Sequence, residues 1–249
     1  MNNNYSKFWQ VYRSISKYSR IRSDEAEFIE ATLRKLEERK IAAPDYLYDL
    51  GCGDGRISSF LGGLRPFRKI FLFDTSDSAL LAEERLKASG LNVATSMGDL
   101  DVWLSTLNRN SILLSIGVVN FFPDQRQILQ KLIGNRPKIV FLAVTGFSVC
   151  GNIYKGLNII RGSRIISELI NSLLGLLEQN LKVARKEGSM RNKFFLILIK
   201  SLEPFVASKI YRLKELEYKS FFEANGYRVF ARKELGLCKW LVFVESQDE

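Results

Sequence analysis

Tyr46-Leu47-Tyr48-Asp49-Leu50-Gly51-Cys52-Gly53-Asp54-Gly55 runs a short apolar strand straight into a glycine-rich turn, and Arg56 to Leu64 reads as the helix that follows. Glycines let a backbone turn tightly and let a ligand approach the main chain, and the first amides of a helix have no partner within it. In doubly wound sheets, ligands sit beyond the carboxyl ends of the strands, where such a turn lies. The plainer alternative is a tight turn that binds nothing.

Outward from this stretch the chain alternates strands and helices. Upstream, Ser23 with Asp24 and Glu25 marks a helix start, leading to about Arg39. Downstream, Lys69 to Phe73 is a second strand ending at Asp74, Ser76 is placed to cap a helix to Ala88, and Gly90 stops it. Asn92–Ser96, Ser111–Ile116 and Lys138–Val144 read as three more strands, with a helix at about 124–134 before the last. Short apolar strands alternating with helices predict a parallel sheet covered on both faces. The rhythm breaks at Gly146. Residues 147–210 carry a helical stripe of Ile166, Leu169, Ile170, Leu173, Leu174, Leu177 and Leu181, so 146–210 reads as a helical insertion of about 65 residues. Alternation resumes at 211 with a helix to Ala224, then strands at 227–234 and 239–245, joined too closely to be anything but antiparallel. Tyr5, Phe8, Trp9, Tyr12 and Ile15 give residues 5–20 the spacing of an amphipathic helix. The expectation is one α/β domain over 1–249: a doubly wound, seven-stranded, mostly parallel sheet with an antiparallel last strand, an N-terminal helical lid over 1–40, and a helical insertion at 146–210 that forms a cap over the acceptor.

Composition narrows the chemistry. The 249 residues are 46% hydrophobic, enough for a substantial core, and contain no histidine, which excludes an imidazole base, a Ser-His-Asp triad and any histidine-bearing zinc site. Cys52, Cys150 and Cys238 are odd in number and lack metal-site spacing, so no disulfide framework and no metal site are expected, and the reading is a reduced, cytoplasmic protein. The longest unbroken apolar run, Phe194–Ile199, falls far short of a membrane span, which needs about 18 residues. The net charge of +10 is concentrated: residues 1–22 carry +5, residues 146–210 carry +6, and the rest sum to −1. Two basic pieces on a near-neutral core suit an anionic partner, whether a carboxylate or phosphate substrate, an acidic lipid surface or RNA; simple solubility explains them equally well.

Two acidic residues join the glycine turn. Asp74 closes the second strand 19 residues after Gly55, where a carboxylate can accept both hydroxyls of a ribose, and Asp99 follows the third strand, where it can reach an adenine amino group. Together they describe a pocket for an adenosine-bearing ligand, with helix capping as the alternative for Asp49 and Asp74. A dinucleotide site prefers G-x-G-x-x-G, but Arg56 stands where the third glycine would be. Asp49-x-Gly51-x-Gly53-x-Gly55, with Asp74 and Asp99, instead resembles the class I S-adenosylmethionine-dependent methyltransferases, over residues 45–145 and 211–249. The resemblance implies S-adenosylmethionine as cofactor. It would set Asp49, Gly51, Gly53 and Gly55 along its methionine and ribose parts, Asp74 on the ribose, Asp99 and Leu100 at the adenine, and Ser115 and Ile116 beside the methionine.

The methyl acceptor is less constrained. Relatives often carry a histidine after the fourth strand; this chain has Asn120 there, and it lacks the Asn/Asp-Pro-Pro-aromatic tetrapeptide common in amino-group methyltransferases. An acceptor already ionised needs cations rather than a base, and Arg20, Arg161, Arg164, Arg185 or Arg191 could hold it. The stretch Ile210–Val229 is similar to the carboxyl end of porphyrin carboxylate O-methyltransferases, which favours oxygen as the methylated atom. Should a neutral acceptor be used, Asn120 would position it and Tyr154 or Tyr211 would take the proton. Phe147, Tyr154, Phe194 and Phe195 line an acceptor pocket or simply pack the insertion. The expected partner is a small anionic or amphiphilic molecule, with peripheral membrane contact an added option. RNA methylation and a non-catalytic binding protein are the competing functions; no RNA-binding module signature supports the first, and the intact glycine turn argues against the second.

Overall fold

The structure is a computed structural model, and it describes residues 21–145, 168, 172, 213–235 and 238–246. The chain divides into two compact units, one of Arg20–Gly146 with Tyr211–Glu249, the other of Met1–Ser19 with Phe147–Ile210. Of the second unit only Glu168 and Ser172 are described, both helical and exposed. The expected amphipathic helix at 5–20 and the stripe at 166–181 otherwise lie outside the described residues.

The first unit runs α1 (Ser23–Glu38), β1 (Tyr46–Leu50), α2 (Arg56–Leu64), β2 (Lys69–Phe73), α3 (Ser78–Ala88), β3 (Val93–Ser96), α4 (Leu100–Ser105), β4 (Ser111–Ile116), a 3-10 turn (Val119–Phe121), α5 (Gln125–Ile133), β5 (Ile139–Thr145), α6 (Glu215–Ala224), β6 (Tyr227–Leu235) and β7 (Cys238–Glu245). The seven strands form one sheet in the order β3-β2-β1-β4-β5-β7-β6. The first five are parallel, and β7 lies antiparallel between β5 and β6.

Each face of the sheet has its own apolar layer. On one side Ile29, Leu33 and Leu36 of α1, Leu61 of α2, and Ala82 and Leu86 of α3 pack on Leu47, Leu72, Leu114, Phe141 and Val242. On the other, Trp103, Leu104, Leu129, Leu132, Tyr218 and Phe222 of α4, α5 and α6 cover Tyr48, Leu50, Phe73, Leu113, Leu142 and Phe243. Helices on both faces leave the central strands no polar side, which is why they read as unbroken apolar runs. Phe222 stacks on Phe243 with ring centroids 3.8 Å apart, fixing α6 over the antiparallel end of the sheet.

Several boundaries differ from the sequence expectation. Ser76 does not cap α3: the helix starts at Ser78, and the Ser76 side chain is engaged with Asp74. Helix α6 starts at Glu215 rather than 211, where the Lys214 amide donates to Glu217 Oε2 at 2.6 Å. Helix α4, six residues long, and the 3-10 turn are too short to leave a periodic signal. Gly90 does end α3, at φ 79°, with the Leu91 amide donating back to the Leu86 carbonyl. Within the 1–40 segment expected as a lid, residues 23–38 form α1 on the sheet, and residues 1–20 lie outside the described residues. Among the described residues no helix is long and apolar enough to cross a membrane.

Candidate functional site

Strand register builds the site. Leu50 pairs with both Phe73 and Ser115, so Gly51, Asp74 and Ile116, which follow them, emerge side by side at the carboxyl edge. Phe73 also pairs with Ser96, bringing Met97 to Asp99 to the same edge.

The three loop glycines have three different surroundings. At Gly51, φ 71°, a Cβ would stand 2.1 Å from Val118 Cγ2, so the turn after β4 rests directly on this glycine. At Gly55, which precedes α2, a Cβ would stand 2.8 Å from Ala82 Cβ, so the missing side chain lets α2 and α3 pack closely. At Gly53, φ 54°, a Cβ would meet nothing within 4 Å among the described residues. Flanked by two filled positions, Gly53 faces open space on the Cβ side of its main chain among the described residues, while its amide is taken by Asp74. That is a cradle.

Asp74 is bound into this loop. Its Oδ2 accepts from the Gly53 amide at 2.9 Å, and its Oδ1 accepts from the Ser76 amide at 2.9 Å and the Ser76 hydroxyl at 2.8 Å. The second contact is an Asx turn, local to Asp74-Thr75-Ser76. A carboxylate offers about four acceptor sites, so three bonds leave it able to take a further donor. Arg85 of α3 donates to the Asp54 carbonyl at 3.0 Å and holds the outer side of the loop. Arg56 pairs with Glu25 at 3.3 Å; Glu25 is buried and also accepts from the Arg22 amide.

Asp49 is buried beneath the loop, and Ser58 Oγ donates to its Oδ2 at 2.5 Å. It caps no helix. Burial pushes its carboxyl up to about 7; the Ser58 bond opposes this, the Asp74 and Asp54 charges add to it, and Arg56 opposes it. An acid raised in the folded state binds its proton more tightly there than in the unfolded chain, so its contribution to stability is complete below about pH 4 and fades as pH rises through about 7. Asp49→Asn should therefore flatten the decline in denaturation midpoint between pH 5 and pH 8; a decline identical to wild type would place that titration elsewhere. Cys52 is buried in the same loop, and its thiol is pushed up by burial and by the Asp49, Asp74 and Asp54 charges, which makes it a poor nucleophile.

At the far end of the edge, Asp99 precedes α4, and its Oδ1 accepts from the Asp101 amide at 2.7 Å. Asp99 is exposed between the exposed apolar side chains of Met97 and Val102, while Leu100 is half-buried against the core. Ser115 is fully buried, and its hydroxyl has no hydrogen-bond partner among the described residues. An unsatisfied buried hydroxyl costs about 1–3 kcal/mol, so this one calls for a partner, which a ligand or an ordered water at this edge would supply. Ile116 packs on the opposite apolar layer. Asn120 is buried within the 3-10 turn.

The structure thus brings together Asp49, Gly51, Gly53, Gly55, Asp74, Asp99, Leu100, Ser115 and Ile116 along one edge. Tyr154, Tyr211, Phe147, Phe194, Phe195 and the arginines at 20, 161, 164, 185 and 191 lie outside the described residues. Among the described residues, no group of three or more Cys, Asp or Glu side chains could hold a metal ion. The sequence reading leaves out Val118 and Arg85 and gives Ser76 a capping role instead of its bond to Asp74. The Asp-x-Ser spacing signals Ser76 locally, whereas Val118 and Arg85 meet the loop only through the fold.

No family model matches the chain, and no curated protein does. Solved structures do. The magnesium protoporphyrin IX methyltransferase from Synechocystis PCC 6803, with bound SAH, is 13% identical with a TM-score of 0.57, covering 95% of this chain and 94% of that one. A second structure of the same enzyme, with bound SAM, is 11% identical with a TM-score of 0.51, covering 88% and 78%. An O-methyltransferase family protein from Burkholderia thailandensis is 9% identical with a TM-score of 0.54, covering 89% of this chain and 58% of that one. At such identities the likeness is one of fold. The sheet order, the reversed β7 and these neighbours agree: the chain has the fold of the class I S-adenosylmethionine-dependent methyltransferases.

Proposed function

We propose that this protein is an S-adenosylmethionine-dependent methyltransferase acting on a small molecule, at an oxygen of an anionic or amphiphilic acceptor. The observation that carries the reading is the open main chain at Gly53, bounded by filled positions at Gly51 and Gly55 and bonded to Asp74. These residues fit the cofactor. Asp49, Gly51, Gly53 and Gly55 border its methionine and ribose parts, Asp74 accepts from the ribose hydroxyls, Asp99 and Leu100 flank the adenine, and Ser115 and Ile116 lie beside the methionine. When bound, S-adenosylmethionine supplies a methyl group already activated on a sulfonium.

In-line displacement at such a carbon is mostly a matter of alignment. An ionised acceptor requires no base, which suits a chain without histidine, and the basic segments 1–22 and 146–210 supply cations to hold it. Asn120 orients the acceptor; for a neutral hydroxyl, Tyr154 or Tyr211 takes the proton. The reaction is cytoplasmic, and the basic segments allow contact with an acidic membrane surface.

Calorimetry with S-adenosylmethionine tests the cofactor, and transfer of labelled methyl to a panel of carboxylates, phosphates and phenols tests the acceptor. Asp74→Ala should weaken cofactor binding by about 1.5–3 kcal/mol, the range for a hydrogen bond to a charged group, or roughly 10- to 150-fold. Ser76→Ala, which removes only a support of Asp74, should weaken it less. Undiminished binding in Asp74→Ala would move the ribose elsewhere. Wild-type protein that takes up no cofactor at high micromolar concentration would end the methyltransferase reading.

A further inference from the structure

Gln125, the first residue of α5, is buried, and its side-chain amide ties together distant segments. Its Oε1 accepts from the Leu213 amide at 2.9 Å and from the Tyr218 hydroxyl at 2.8 Å, while its Nε2 donates to the Val119 carbonyl at 3.3 Å. The orientation follows from the chemistry of the partners: a backbone N–H only donates and a backbone C=O only accepts. Helix capping does not require this side chain, because Asp124 beside it already accepts from the Gln127 amide at 2.9 Å.

Both ends of the bridge matter to the site. Val119 opens the 3-10 turn that carries Asn120, and its neighbour Val118 is the side chain resting on Gly51. Leu213 is where the described chain resumes after 146–212, and Tyr218 lies in α6 just beyond. One buried amide therefore spans the cofactor loop's support and the return of the insertion. We infer that Gln125 is a positioning residue: it holds the 118–121 turn against the glycine loop and couples that turn to the point where the acceptor-side segment rejoins the sheet. Its ligand-binding consequence rests on the methyltransferase reading; the positioning itself does not.

Two variants separate the ends of the bridge. Gln125→Glu keeps the acceptor for Leu213 and Tyr218 but sets a carboxylate oxygen against the Val119 carbonyl oxygen, releasing the turn. Tyr218→Phe removes one contact on the α6 side and leaves the Val119 bond intact. Hydrogen exchange on the full chain, read in peptides spanning 117–122 and 213–218, reports the turn without any ligand. Gln125→Glu should speed exchange at 117–122 by about tenfold or more, with Tyr218→Phe within about twofold of wild type there. By calorimetry, S-adenosylhomocysteine should bind Gln125→Glu roughly 5- to 20-fold more weakly, and Tyr218→Phe within about twofold of wild type. Unchanged exchange at 117–122 in Gln125→Glu would overturn the proposal, as would equal losses of affinity in the two variants, the mark of general destabilisation. Should Gln125→Glu fail to fold, Gln125→Met, similar in volume and apolar, removes both ends of the bridge and should still speed exchange at 117–122 well beyond Tyr218→Phe; exchange there equal to that of Tyr218→Phe would overturn the proposal. Wild-type protein that binds no S-adenosylhomocysteine would count against the methyltransferase reading, while the exchange measurements would still decide the positioning.

Discussion

Gly53→Val should remove the S-adenosylmethionine binding proposed above and leave the chain folded. The φ of 54° is left-handed, which costs an L-residue about 1–2 kcal/mol and a branched one more, so the denaturation midpoint should fall by several degrees without loss of cooperativity. Among the described residues no atom lies within 4 Å of the new Cβ, so none of them is displaced. What the valine occupies is the space over the loop main chain, and a ligand that needs that main chain is excluded. Binding should drop by more than about 100-fold, beyond about 3 kcal/mol. Gly53→Ala, smaller and unbranched, should lose less. A valine variant that binds within a few fold of wild type would place the ligand away from this loop.

At Gly51 the expected result is reversed: stability falls first, and binding falls with it. A Cβ placed 2.1 Å from Val118 Cγ2 forces the valine, and the turn behind it, to move. Overpacking of this kind costs about 1–3 kcal/mol, and the φ of 71° adds about 1–2 kcal/mol, so Gly51→Ala should lose roughly 2–5 kcal/mol by denaturant titration. Val118→Ala removes the colliding methyl groups. The double variant should therefore be more stable than Gly51→Ala alone, a non-additivity expected of residues in contact. Strictly additive losses would show that the two residues do not share the space the structure gives them.

The contrast between these glycines shows where sequence stops being informative. Their presence, and the strand before them, were legible: Tyr46–Leu50 and Arg56–Leu64 fall where the apolar run and the glycine spacing put them. Their separate duties were not, because Val118 and Ala82 reach the loop only when β4 and α3 are placed beside β1 and α2. The place of Asp74 at a strand end is legible, but Ser76, which supports it, reads from sequence as a helix cap, since Ser at that distance from an apolar stretch serves either purpose. For Asp49 the sequence offers helix capping as the alternative to a cofactor contact; the structure shows no cap but a buried carboxyl paired with Ser58, a partner nine residues on that the sequence does not flag. Gln125 left no signal at all. A single glutamine at a helix start is unremarkable until Leu213, Tyr218 and Val119 surround it.

The reversed strand β7 has a topological result. Lys239 of β7 lies opposite Val144, one residue before β5 ends, and pairs with Glu215 at 2.7 Å, two residues after the described chain resumes at Leu213. The stretch 146–212 thus leaves and rejoins the sheet at neighbouring points. A segment that enters and leaves at one place can be exchanged for another without redirecting any strand, so under the proposed methyltransferase reading acceptor preference is free to diverge, in evolution or in the hands of an engineer, while the edge that carries the glycine loop is inherited intact.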